Sequence, residues 1–381
     1  MTKIQDYPGT LAQAFQSPEI KAGDRMFLHG GMYAGDFEVR LSGESERIIT
    51  VAPYSPESPV VDGSIFCLSN YTIFSGLEIY DSDFFNRTSE ETGSHPIDIT
   101  SVDGARGIAA GIEFRDCVIH DTRQGAYCPD EATVIFDGCV IFFNGWLAPD
   151  RGHGHGIYAQ KNTIVRNCII FNNFGWGIHI YGEGDQSLDN VTLEDNISFC
   201  NGVLSGRANP NFLHGRSGTV LNPMWRRNYS YHKADMTRGN SFGYVGTFTG
   251  GVMVDNYLPE GCGISVTGQF AENSGNVFAP ESVNKVVVIP ARDRAHVAIY
   301  NWQQLDNVTV TVPSVFSAGA SVNARNVQDY FDDIQQLTVA GNGTIIVNMQ
   351  AANRTVGTPT GWTAPATTFP QFGAFVLERT D

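Results

Sequence analysis

The chain has 381 residues, 42% of them hydrophobic, which is enough for one long domain with a smaller appendage and too apolar for a disordered chain. Its formal charge of −16 excludes wholesale binding of nucleic acid, which asks for a basic surface. No apolar run approaches the ~20 residues needed to cross a bilayer.

The charge is uneven. Residues 150–240 hold nine Lys or Arg against seven Asp or Glu, while the rest of the chain holds 15 against 33. Five of the nine histidines, His153, His155, His179, His214 and His232, fall in the same stretch. A locally cationic segment in an acidic protein can focus an anionic ligand, although chance clustering on a solvated face is the competing reading. Seven cysteines without a CxxC pair give no zinc or redox motif and leave at least one thiol free.

Residues 1–60 read as an N-terminal cap with the first coils. From 61 to 280 a repeat dominates, and it sets how every local pattern is read. Cys117, Cys139, Cys168 and Asn196 align in one column, at steps of 22, 29 and 28 residues. A second column follows five residues later with Thr122, Asn144, Asn173 and Asn201. A third aligns Gly125-Ala-Tyr-Cys128, Gly156-Ile-Tyr-Ala159, Gly177-Ile-His-Ile180 and Gly263-Ile-Ser-Val266. Short β-branched runs between Gly and Asn turns are a solenoid signature, since one coil cannot bury its own apolar face. The cysteines read as small core residues and the asparagines as a hydrogen-bonded ladder at a tight turn. Strand alternation puts Ile157, Ala159, Ile178 and Ile180 inward, with Tyr127, Tyr158, Gln160, His179 and Tyr181 outward.

Residues 281–381 leave the repeat. Val286–Ile289, His296–Trp302, Val308–Val312, Thr344–Val347 and Phe372–Leu377 are β runs between turn residues, and they read as a small β-sandwich-like module. Its expected role is to cover the last coil, whose apolar edge would otherwise be exposed.

The asparagine ladder and coil spacing, with the opening Lys21-Ala-Gly-Asp24-Arg-Met-Phe-Leu28-His-Gly-Gly31-Met-Tyr33-Ala-Gly35-Asp36-Phe37, resemble the pectate-lyase-like superfamily over residues 5 to 280. The stretches His120-Asp-Thr-Arg-Gln-Gly125 and Asn144-Gly-Trp146 through Asp150-Arg151-Gly-His153-Gly-His155-Gly-Ile-Tyr158-Ala-Gln160 resemble a bacterial branch of it. The resemblance implies an all-β fold, a right-handed parallel β-helix, and saccharide binding along one sheet between walls made by turns. It also implies extracellular or periplasmic action. Met1-Thr-Lys-Ile4 lacks the apolar stretch of a signal peptide, which leaves a cytoplasmic site open.

On that face, aromatic rings can stack on sugars while polar groups read hydroxyls, in competition with a purely structural aromatic ladder. The insertion from Trp146 to His155 should rise as a wall, delivering Asp150, Arg151 and His153 over the strand of His155 and Tyr158, with Gly152, Gly154 and Gly156 letting the backbone approach a ligand. A lyase acting on a uronic acid needs a cation for the carboxylate, a base and an acid. Arg151 can supply the first, His155, His179 or Lys161 the second, and Tyr158 or Tyr181 the third. Tyr127, Trp146, His153, Gln160, Lys161, Trp176, Tyr181 and Glu183 are the candidate binding residues. Lys161 also resembles the basic residue of alginate-lyase and chondroitinase-B-like enzymes. The arginine such enzymes pair with it is absent, and Tyr181 and Gly182 stand in its place.

Three alternatives stay open. A hydrolase would need two carboxylates roughly 5–10 Å apart, for which Asp130, Asp150 and Glu183 qualify by position. His153 and His155 on one strand face, with His179 on the next coil, would make a three-histidine metal site, and Ca²⁺ on turn carboxylates would suit a uronate lyase. A non-catalytic, tailspike-like glycan-binding stalk is the third. The oligomeric state is not readable from the sequence.

Overall fold

The computed structural model describes residues 9–94, 103–129, 132–182, 187–207, 209–215, 219–233, 242–243, 246–260 and 266–380. Three parallel sheets wind into a β-helix. The back sheet runs through ten strands, from Arg25–Leu28 to Glu272–Ser274. The other two, a flank sheet and a groove sheet, diverge from one long strand, Pro59–Cys67. Its residues 60–62 pair with Glu78–Tyr80 to start the flank, and residues 65–67 pair with Asp103–Gly107 to start the groove. The flank sheet continues through Val118–His120, Val140–Phe142, Ile169–Phe171, Ile197–Phe199 and Tyr229–Tyr231. The groove sheet continues through Gln124–Cys128, Ile157–Ala159, Ile178–Ile180, Phe212–His214 and Phe242–Gly243.

The sequence columns are coil registers. Cys117, Cys139 and Cys168 are fully buried, and their column continues as asparagines that bond from coil to coil: Asn196 Nδ2 to Asn228 Oδ1 (3.0 Å), Asn228 to Asn256 (2.9 Å), Asn256 to Asn276 (2.8 Å). At the turn between flank and groove, Thr122, Asn144, Asn173, Asn201 and Asn211 form a second ladder with side-chain steps of 2.8 to 2.9 Å. No asparagine of either ladder has a left-handed φ. The left-handed φ falls one residue earlier, at Asp121, Phe143, Asn172 and Cys200. The strand stacked on Ile178–Ile180 is Phe212–His214, which asparagine precedes, whereas the aligned rows carry glycine there. Residues 261–265 lie outside the described residues.

A short helix, Leu11–Ala14, is held by a capping box between Thr10 and Gln13 and buries Phe15 against Phe37 and Phe74 (ring centroids 5.9 and 6.3 Å). The C-terminal residues form a five-stranded antiparallel sheet faced by the two-stranded pair Asn307–Thr311 and Thr344–Asn348. At the last coil all three residues of Glu272–Ser274 stay exposed, while Val277 packs with the module's Tyr300 and Phe372. The module lies along the flank sheet. Ala298, Tyr300, Phe372, Ala374 and Val376 pack on Val140, Phe142, Ile169, Phe171, Ile197 and Phe199, which point outward from the coils. Val297, Ile299, Phe375 and Leu377, on the other face of the same strands, fill the sandwich core. Val140–Phe142 and Ile169–Phe171 are apolar at every position because both of their faces are buried. Arg292 reinforces the seam with bonds to Asp116 (2.8 Å) and Asp137 (3.0 Å).

Candidate functional site

The outward residues of the groove strands form one register: Phe66, Arg106, Tyr127, Tyr158, His179 and Leu213 are paired in that order. Equivalent positions sit about 4.8 Å apart, so the rings are in contact. Tyr127 meets Tyr158 at 5.6 Å and Tyr158 stacks on His179 at 5.0 Å, while Tyr181 and Trp176 stack on His179 at 5.3 and 4.9 Å. Arg106 is sandwiched between Phe66 (4.5 Å) and Tyr127 (5.2 Å). It was missed in the sequence, although it stands one coil before Tyr127 in the same column.

The wall is a hairpin in which Trp146–Leu147 pairs antiparallel with Gly152–His153. Trp146 is buried, donates Nε1–H to the Ser94 carbonyl (2.9 Å) and packs with Phe84, so it anchors the wall and offers no face to a sugar. His153 stacks on it at 5.3 Å and bonds through Nε2 to the Asp150 carboxylate (3.1 Å), which also accepts the Gly93 N–H (3.1 Å). Burial would raise the Asp150 pKa, but these bonds outweigh it and hold the carboxylate at about 2. Burial lowers His153.

The shared face expected for His153 and His155 does not form. Gly154 takes a φ of +77° and breaks the extended run on which period-two alternation depends, so His155 turns to Trp176 and His179 instead. Among the described residues no group of three His, Cys, Asp or Glu is placed to hold a metal ion. The glycines serve chain packing more than ligand approach. A Cβ at Gly152 would collide with the Phe174 carbonyl, and one at Gly156 would press on Asn173 Nδ2 at 3.0 Å.

Behind the wall, Arg151 lies over the Trp176 ring at 4.9 Å, with Asp150 3.8 Å from its Nε. His155, 5% exposed, accepts the Trp176 N–H at Nδ1 (3.0 Å), which places its own proton on Nε2. The His155 and His179 rings are 4.2 Å apart. Burial, then His179 and Arg151, push His155 well below the usual range; burial, then Arg151, bring His179 to about 3. Both imidazoles are neutral at neutral pH. Four buried polar atoms along this face lack a hydrogen-bond partner among the described residues: Arg106 Nε, Gln160 Oε1, Trp176 Nε1 and His179 Nδ1. Each costs about 1–3 kcal/mol, and such groups concentrate where function demands them. Lys161 is half-buried in the turn after Tyr158. Asp130 and Glu183 lie outside the described residues.

A family model described as a right-handed β-helix region matches residues 64–216. The chain is a right-handed parallel β-helix protein. No curated protein matches it. Among solved structures, pectate lyase Pel9A is similar at 15% identity over 72% of this chain and 73% of that one, with a TM-score of 0.48. An alginate lyase from Paenibacillus sp. str. FPU-7 is similar at 18% identity over 71% and 95%, with a TM-score of 0.39. The GH136 lacto-N-biosidase from Eubacterium ramulus is similar at 12% identity over 71% and 63%, with a TM-score of 0.39. Among the described residues of this β-helix, no helix is long and apolar enough to cross a membrane.

Proposed function

We propose that the groove sheet binds a uronic-acid polysaccharide and cleaves it by β-elimination. The reading is carried by one observation: the Arg151 guanidinium, stacked on Trp176, stands beside two buried neutral imidazoles and a tyrosine in ring contact with both. Arg151 pairs with the uronate carboxylate and so stabilises negative charge as C5 loses its proton. His179 takes that proton, with His155 holding its ring. Because Arg151 helps to keep His179 low, a carboxylate bound on Arg151 raises the basicity of the imidazole when substrate is present. The C4–O bond breaks, a C4–C5 double bond forms, and Tyr158 supplies the proton to the leaving oxygen. Asp150 and His153 shape the wall, and Tyr127 and Tyr181 extend the binding face.

The low pKa of free His179 favours one other reading, tight binding without cleavage. A panel of acidic glycans, followed by the ultraviolet absorbance of unsaturated ends and by reducing ends, separates the two. Absorbance and reducing ends rising together support the lyase. Reducing ends alone would assign hydrolysis, and saturable binding without product would assign an adhesin-like role.

A further inference from the structure

We propose that Arg106 is a second anion-binding point on the groove sheet, so that the ligand is an acidic polymer held by carboxylates at two separated positions. The inference rests on the reading of this face as a polysaccharide groove. Arg106 occupies the register of Tyr127, Tyr158 and His179, and its guanidinium lies between the Phe66 and Tyr127 rings. Among the described residues it has no ion pair and no hydrogen-bond acceptor, and its Nε is buried without a partner. By contrast, its neighbour Arg123 is tied to Asp103 at 2.8 Å. A half-buried cation without a counter-ion destabilises the fold, while two aromatic faces hold its plane in a fixed orientation. That is a guanidinium prepared for an external carboxylate, which its fork matches in a bidentate pair. From Arg106 to His179 is three strand spacings, roughly 14 Å, and Arg151 lies over Trp176, whose ring stacks on His179. The two cations therefore lie farther apart than one sugar ring can bridge. Arg106 thus selects for chain length and for a repeated acid, at a distance from the reacting atoms.

The test compares the wild-type chain with Arg106→Gln, Arg106→Lys and Arg151→Gln, using polygalacturonate, alginate and their disaccharides in binding titrations, with dextran as the neutral control. For Arg106→Gln we expect polymer affinity to fall about tenfold or more, disaccharide affinity to stay unchanged, and the melting temperature to hold or rise. Arg106→Lys should recover part of the loss. Polymer binding unchanged in Arg106→Gln but lost in Arg151→Gln would overturn the second anion point and leave the groove reading standing. A steep fall in melting temperature for Arg106→Gln would make the residue a packing element and also overturn it. A wild-type chain that binds neither acidic polymer would overturn both.

Discussion

Asn173→Ala tests the link between the turn ladder and the groove. The Asn173 side chain is fully buried and makes four hydrogen bonds. Its Oδ1 accepts from Asn144 N (3.1 Å) and Asn144 Nδ2 (2.9 Å), and its Nδ2 donates to the Phe171 carbonyl (3.2 Å) and Asn201 Oδ1 (2.9 Å). Alanine leaves both Asn144 donors buried and unpaired, while Asn201 Oδ1 keeps the Asn173 backbone N–H (3.2 Å). At about 1–3 kcal/mol for each orphaned group, the expected loss is ~4 kcal/mol. The site should feel it as well, because Asn173 Nδ2 closes the space into which a Cβ at Gly156 would project, and Gly156 leads into the strand of Tyr158. Urea unfolding followed by circular dichroism measures the first effect, and glycan turnover or binding the second. Thr122→Val, at the end of the ladder, serves as the milder control. A stability loss under ~1 kcal/mol would refute the view that the ladder is a coupled network.

Three other outcomes are expected. His179→Ala and Tyr158→Phe should each lower turnover of an acidic glycan by about 10²-fold or more with the melting temperature kept, and undiminished turnover in both would remove these residues from the chemistry. Stability should peak near neutral pH. Burial first, against opposing bonds, leaves His214 and His232 at about 4, so their contribution is complete above the unfolded value of 6.5 and is lost as pH falls toward 4, at up to ~3 kcal/mol each. His120 works the other way: its bonds to Asp121 and Glu78 overcome burial and raise it to about 9, so its contribution is complete below 6.5 and is lost as pH rises toward 9. Melting temperatures across pH 4–9 check both limbs, and His120→Gln should flatten the alkaline one alone. Finally, Phe372→Ala, which removes a ring stacked on Tyr231 at 4.4 Å in the flank seam, should cost about 3–5 kcal/mol in a denaturant titration; a negligible cost would mean that the seam is weakly packed.

The coil register was legible in the sequence because a solenoid returns the same residue type to the same place. Tyr127, Tyr158 and His179 could be aligned by spacing alone, and they are neighbours in the sheet. What spacing cannot show is how an insertion folds on itself. Trp146 and His153 belong to the wall by position, yet the hairpin stacks their rings on each other. The strand Phe212–His214 was passed over because asparagine, not glycine, precedes it. The placement of the C-terminal module did leave a signal. Val140-Ile-Phe-Phe143 and Ile169-Ile-Phe171 are apolar at successive positions, where a strand with one solvated face would alternate.

That seam fixes how long this β-helix can be. A bare solenoid can gain or lose a coil with little penalty, since each repeat contacts only its neighbours. Here Tyr300, Phe372 and Arg292 reach different coils at once, bonding or packing at Ser230, Phe199, Tyr231 and Asp116. A coil inserted between Asp116 and Ser230 would carry those partners out of register with a sheet that cannot stretch. Variation in this groove is thus confined to side chains and turn lengths, with the number of rungs held constant.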